Sequence, residues 1–235
     1  MPLRLDKYLA DAGVGSRSEL RGLIRAGRVA VNGAVCCSPE AKVSESDRVA
    51  VDGAPVVYQR FVTVMMNKPA GYLSATKDER GDRTVIDLLD ERLRRLDLKP
   101  AGRLDKDATG LLVLTNDGAL IHSVISPSRH VEKRYEVTLS APLPENVAAV
   151  FAEGVLLGDG YRCLPARLFY AEGAVRAAVA IQEGKFHQVK RMFAALGSTV
   201  LTLKRTEIGA LQLDPALAEG EYRPLSAAEI KSLTF

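Results

Sequence analysis

The sequence of 235 residues contains no apolar run approaching the roughly 20 residues that a membrane-spanning helix requires. Its first residues, MPLRLDKYLADAG, alternate charged with apolar side chains and lack the continuous apolar stretch of a secretory signal. Both absences point away from the membrane and the secretory route, and the cytoplasm is expected. The three cysteines, Cys36, Cys37 and Cys163, form no CxxC pair, so free thiols are expected rather than disulfides or structural zinc. His122, His130 and His187 show no metal-ligand spacing either, and no metal or other cofactor is expected. Internal repeats and low-complexity tracts are also missing. What remains is a chain with 47% hydrophobic residues, long enough for one large domain or for a small module followed by a domain of about 175 residues. The net charge of +3 is too small to identify a nucleic-acid partner, so the positions of the charges must decide.

The first 60 residues read as a small module. Leu5, Tyr8, Leu9 and Ala12 fall at i, i+3, i+4 and i+7, one apolar stripe of a short helix that Gly13 and Gly15 end. Ser16 and Glu19 fit the capping box of a second helix, with Leu20, Leu23 and Ile24 facing inward and Gly27 as its stop. Arg17, Arg21 and Arg25 lie four apart, with Arg28 three further on, so their guanidinium groups can share one side. Such a row suits a phosphate backbone, and it also suits a plain solvated face. VAVNGAV reads as a hairpin around Asn32-Gly33, and DRVAVDG as a strand closed by Asp52-Gly53. APVVYQR, residues 54–60, reads as a short connection, and the two units are expected to move as tethered bodies.

Beyond it, FVTVMMN, LLVLT, KRYEVTL, VLTLKR and ALQL read as strands and ARLFYAEGAVRAAVAIQEG as a hairpin. TVIDLLDERL, ALIHSVI, PENVAAVFAEG and HQVKRMFAALG read as helices, and Ser226 with Glu229 caps a last one. Met192, Phe193 and Leu196 are core on this periodicity. The irregular alternation with hairpins predicts an α+β domain around a mixed, largely antiparallel sheet flanked by helices.

GRLDKDATGLLVLTNDG, residues 102–118, sets Asp105 and Asp107 against an apolar run, where an unpaired carboxylate is costly. A calcium loop fits its opening but puts Asn116 where a bidentate glutamate is needed. A haloacid-dehalogenase-type phosphotransferase, which would need magnesium, has its strand before the first aspartate, and here the strand follows. A carboxylate delivered by a loop as nucleophile or electrostatic partner remains.

Two resemblances bear on that choice. RLDKYLADAGVGSRSELRGLIRAGRVAVNG followed by DRVAVDG resembles the S4-type RNA-binding module, which implies that Arg17, Arg21, Arg25 and Arg28 grip structured RNA. GRLDKDATGLLVLTNDG resembles the G-R-L-D motif of pseudouridine synthases. With NKPAGYLSAT, KRYEV, EGKFHQVKRMFAALG and EGEYRPLSAAEI, nearly the whole chain is similar to the RsuA-type small-subunit ribosomal RNA pseudouridine synthase family. The resemblance implies an S4-type domain at 1–58 and a synthase domain at 59–235. It makes Asp105 and Tyr135 catalytic, the tyrosine ring stacking on uracil and its hydroxyl available for proton removal, and Arg103 a holder of the displaced nucleotide, with Asp107 at a variable position. Where many relatives carry arginine in H-Q-[IVL]-R this chain has Lys190, the implied cationic partner of Asp105, with neighbouring Arg191 a second candidate that also contacts RNA. Lys68 is read as a phosphate contact, with a solvated lysine the alternative, and Arg83 has the same two readings. His187 is assigned hydrogen bonding within its motif loop and no catalysis.

The activity so implied is isomerisation of one uridine in ribosomal RNA, 16S by resemblance, by a monomer that needs no cofactor or membrane. The rivals are a synthase acting on 23S RNA and a non-catalytic RNA-binding ribosome assembly factor.

Overall fold

Leu5, Tyr8, Leu9 and Ala12, the stripe legible in the sequence, are all buried in the computed structural model, which describes residues 2–171 and 173–234. The chain divides into two compact units: Met1–Val62 with Leu89–Lys99 and Thr115–Asp117, and Thr63–Leu88 with Pro100–Leu114 and Gly118–Phe235.

In the first unit β1 (Leu3–Arg4) leads into α1 (Leu5–Asp11), and α2 (Arg17–Arg25) follows. The capping box forms: Ser16 Oγ accepts from Glu19 N, and Ser16 N donates to Glu19 Oε2 at 2.8 Å, a cap contributing about 1 kcal/mol. Next come β2 (Val29–Val31), β3 (Ala34–Val35), β4 (Lys42–Val43), β5 (Val49–Val51) and β6 (Ala54–Pro55). Four of them make an antiparallel sheet in the order β3-β2-β5-β6, and β4 pairs with β1. Asn32-Gly33 and Asp52-Gly53 each have positive φ at both positions, as two-residue hairpin turns of this hand demand. Residues 54–55 are therefore sheet, not connection, and the Tyr58 ring stacks on Tyr8 with centroids 4.5 Å apart.

The expected helix TVIDLLDERL is broken into a 3-10 turn over Val85–Leu88 and a short α3 (Glu91–Arg94), because the Asp90 side chain accepts from Leu93 N at 2.8 Å and starts a new helix. Arg92 Nε donates to Ala12 O at 3.3 Å, tying α3 into the first unit.

The second unit is built on a nine-stranded mixed sheet. Its strands are β7 (Thr63–Lys68), β8 (Lys99–Pro100), β9 (Thr109–Thr115), β10 (Lys133–Leu139), β11 (Arg167–Tyr170), β12 (Arg176–Ile181), β13 (Val200–Ile208), β14 (Leu211–Gln212) and β15 (Tyr222–Pro224). The main path runs β11-β12-β10-β13-β9-β7-β15. β10 is antiparallel to both β12 and β13, and β13 pairs with β9 in parallel. The helices are α4 (Gly118–Ile125), α5 (Val147–Glu153), α6 (Gln188–Ala194) and α7 (Ala227–Ser232). Leu111, Leu112, Val113 and Leu114 are all fully buried, so β9 is covered on both faces and reads as a continuous apolar run.

Gly110 sets the β9–β13 approach. It has φ +101°, and a Cβ there would lie 2.2 Å from Arg205 O, so only glycine lets Arg205 stand opposite it in register.

Candidate active site

Asp105 sits in the loop between β8 and β9, and that loop is pinned from below. Lys68, the last residue of β7, is fully buried, and its Nζ donates to Ala108 O at 2.8 Å, Pro69 O at 3.0 Å, Asp105 O at 3.1 Å and Lys106 O at 3.3 Å. Ser74 Oγ holds the near side, accepting from Leu104 N at 3.0 Å and donating to Leu104 O at 2.9 Å. Full burial among these carbonyls fits neither the phosphate contact nor the solvated lysine expected at Lys68: its ammonium serves the loop instead. Burial lowers its pKa to about 8 against the pull of the Asp107 and Asp105 charges.

Held this way, the Asp105 side chain stays 26% exposed, on the wall of a cavity of about 720 Å³, within the size range of ligand sites. Beside its carboxylate lie Lys190 Nζ at 3.4 Å and His187 Nε2 at 3.7 Å. Both belong to the segment 183–190, which is locally self-bracing. Glu183 is buried and accepts from Gln188 Nε2 at 2.7 Å, Tyr161 Oη at 2.8 Å and Leu164 N at 2.8 Å. Gln188 Oε1 in turn accepts from Lys185 N at 2.8 Å, closing a turn in which His187 takes φ +49° before α6 begins. α6 then carries Lys190 to the cavity. Burial would lower the Lys190 pKa, but hydrogen bonds to Asp107 and the charges of both aspartates outweigh it and raise the value.

Arg191 points elsewhere. Its guanidinium pairs with Asp159 and donates to Phe186 O at 3.4 Å, so Lys190 is the basic residue of the two that meets Asp105. Tyr135, on β10, is buried on the cavity wall, and exposed Arg103 lines the same cavity. His187 lies beside the Asp105 carboxylate as well as within its motif loop.

Three cavity residues escaped the sequence reading. Arg205 is almost fully buried on β13; its Nε donates to Leu111 O at 2.8 Å, and its Nη1 lies 3.5 Å from Tyr135 Oη and 3.4 Å from Arg103 O. A clue was available: Leu203 and Arg205 alternate onto one face of a strand, where an inward arginine is unusual. Lys133, two residues before Tyr135 on β10, donates to Val131 O at 2.8 Å, and burial together with the Arg205 charge lowers its pKa to about 8. Phe186 is the third, exposed at the rim.

On the first unit, Arg17 and Arg21 are each half-exposed and pair with the buried Asp6 at 3.4 and 3.1 Å, joined by Arg4 at 3.1 Å. Arg25 is exposed on the same helix. Arg28 lies beyond the end of α2 and pairs with Asp52, so it is not part of the helical row.

A carboxylate 3.4 Å from an ammonium, on a cavity wall shared with a tyrosine ring, can act on a flat electrophilic ring brought in from outside. A family model described as RNA pseudouridylate synthase matches residues 62–195, and an S4 domain model matches residues 3–56. The chain belongs to the RNA pseudouridylate synthase family. Among its relatives in the family is the uncharacterized RNA pseudouridine synthase YtzG of Bacillus subtilis, 44% identical over 98% of each chain. Another is the ribosomal small subunit pseudouridine synthase A of Salmonella typhimurium, 42% identical over 98% of this chain and all of that one. A crystal structure of a pseudouridylate synthase is 40% identical, covers 98% of this chain and 99% of its own, and superposes with a TM-score of 0.69. No helix among the described residues is long and apolar enough to cross a membrane.

Proposed function

We propose that this synthase isomerises one uridine of ribosomal RNA, in the 16S molecule of the small subunit, with Asp105 as the acting carboxylate. The observation that carries this reading is the 3.4 Å approach of Lys190 to Asp105 on a cavity wall shared with Tyr135. The reaction breaks the bond from ribose C1′ to uracil N1, turns the base, and joins C1′ to C5; the C5 proton is lost and N1 gains one. Neither a redox carrier nor a metal is required by that balance. It requires a base taken out of its stack, a charged carboxylate at the sugar or the ring, and limited access for water. Lys190 sets a positive charge beside Asp105, the Tyr135 ring supports the uracil face, and Arg103 holds the displaced nucleotide.

Residues 1–58 form the RNA-gripping module and 59–235 the catalytic domain, acting as a monomer in the cytoplasm. Arg25, with the free edges of Arg17, Arg21 and Arg28, meets the phosphate backbone. The names of the relatives support the ribosomal substrate. The test is tritium release from 16S transcript labelled at uridine C5: wild-type protein releases it, and Asp105→Asn binds the RNA without releasing any. Retained turnover by that variant would remove Asp105 from the chemistry, and release only from 23S transcript would reassign the substrate.

A further inference from the structure

Phe186 is 71% exposed, a large apolar ring left in water at the rim of the cavity that holds Asp105. It is not a loose side chain. Its ring lies against the His187 imidazole, centroids 3.8 Å apart and planes 19° apart, and its carbonyl accepts from Arg191. The turn closed by Gln188 fixes the backbone on either side, and the same His187 reaches to 3.7 Å from the Asp105 carboxylate. One ring face is thus occupied, and the ring is held at a set distance from the reacting carboxylate. Cations and rings share this cavity: the Lys185 ammonium lies 4.9 Å from the Tyr161 ring centroid, and Arg103 lines the cavity as well. Rings and cations in one cavity match the two parts of a single-stranded RNA segment, bases and phosphates. The cavity is also larger than one pyrimidine ring fills.

We propose that Phe186 is an RNA-contacting residue whose free face stacks on a nucleobase flanking the target uridine, which rests on the reading that a uridine enters beside Asp105. Stacking needs a ring, not mere apolarity, so leucine cannot substitute for it.

The chain has no tryptophan, so Phe186→Trp introduces a single indole at the proposed contact. Titrated with 16S transcript, this variant is expected to lose emission in step with RNA binding followed by filter retention. In tritium release, Phe186→Leu and Phe186→Ala should raise KM about tenfold, and Phe186→Tyr should stay within about threefold of wild type. Because the position is exposed, all four variants should melt with wild type. Saturated binding with unchanged indole emission, or Phe186→Leu indistinguishable from wild type, would overturn the proposal. The indole reports binding and not turnover. Quenching without tritium release from wild type would sink the uridine reading and keep the RNA contact, whereas release without quenching would sink the contact alone.

Discussion

Lys190 is bound more tightly by Asp107 than by Asp105: its Nζ lies 2.6 and 2.8 Å from the two Asp107 oxygens and 3.4 Å from Asp105 Oδ2. Asp107 is 73% exposed, so a solvated carboxylate anchors the ammonium while the more enclosed one is left with a looser contact and free lone pairs. This sharing keeps the cation beside Asp105 without locking both of its oxygens.

Asp107→Asn should therefore weaken the anchor and spare the chemistry. Its kcat in tritium release is expected to fall roughly tenfold or less, since an exposed charge pair contributes little. Lys190→Ala removes the cation itself and should cost roughly 10²- to 10³-fold, the scale of losing one preorganised electrostatic partner. Equal losses in the two variants would show that Asp107 does more than hold Lys190.

Lys133 should place a basic limb on the pH profile. Its ammonium faces the cavity beside Arg205 and loses its proton at about 8 instead of 10.5, so the cavity is more cationic below that pH than above it. The value of kcat/KM is expected to decline above pH 8 in wild type, and Lys133→Arg, charged throughout, should carry the limb upward by more than one pH unit. An unmoved limb in Lys133→Arg would assign it to another group.

Lys68→Met should destabilise the catalytic unit by about 2–4 kcal/mol at pH 7, because four loop carbonyls lose their buried donor. The pH dependence has a definite sign. The folded pKa of about 8 lies below the unfolded value near 10.5, so the unfolded chain binds more protons in that window and wild-type stability rises with pH across it. Urea titrations of both proteins from pH 7 to 10.5 should show the wild-type advantage growing.

Asp6→Asn tests the first unit. Its buried carboxylate is held well below the usual range by hydrogen bonds from Arg4 first, then Arg21 and Arg17. Removing the charge should cost about 1–2 kcal/mol at pH 7, because the three guanidinium groups left without their common partner are partly exposed and Arg4 keeps Glu40. The lowered pKa contributes stability above pH 4 and loses it as the carboxyl protonates, so the difference between wild type and variant should shrink in acid. Denaturation midpoints at pH 7 and pH 3 measure it.

Much of the fold was legible because its signals are local. Both capping boxes, the Asn32-Gly33 and Asp52-Gly53 turns, and the buried strand LLVLT are each specified within a few residues. The break of TVIDLLDERL at Asp90 is equally local, but the apolar period of the surrounding residues runs through it and reads as one helix. Arg205 was illegible for a different reason: its burial follows from the parallel contact with Gly110, and nothing near it in sequence announces that pairing. Lys68 misled because a lysine beside proline and glycine in a loop is ordinarily solvated.

By itself the sequence determined most of the helices, strands and turns, though not the break at Asp90 or the strand at Ala54–Pro55, and the motif that places Asp105 before its strand. Tertiary structure alone decided that Lys190 and not Arg191 turns toward that aspartate, that Lys68 serves the loop from inside, and that Arg205 lies under the cavity. Periodicity and capping act over single turns of chain, whereas a charge finds its partner only after packing brings together residues as distant as Asp107 and Lys190, 83 positions apart.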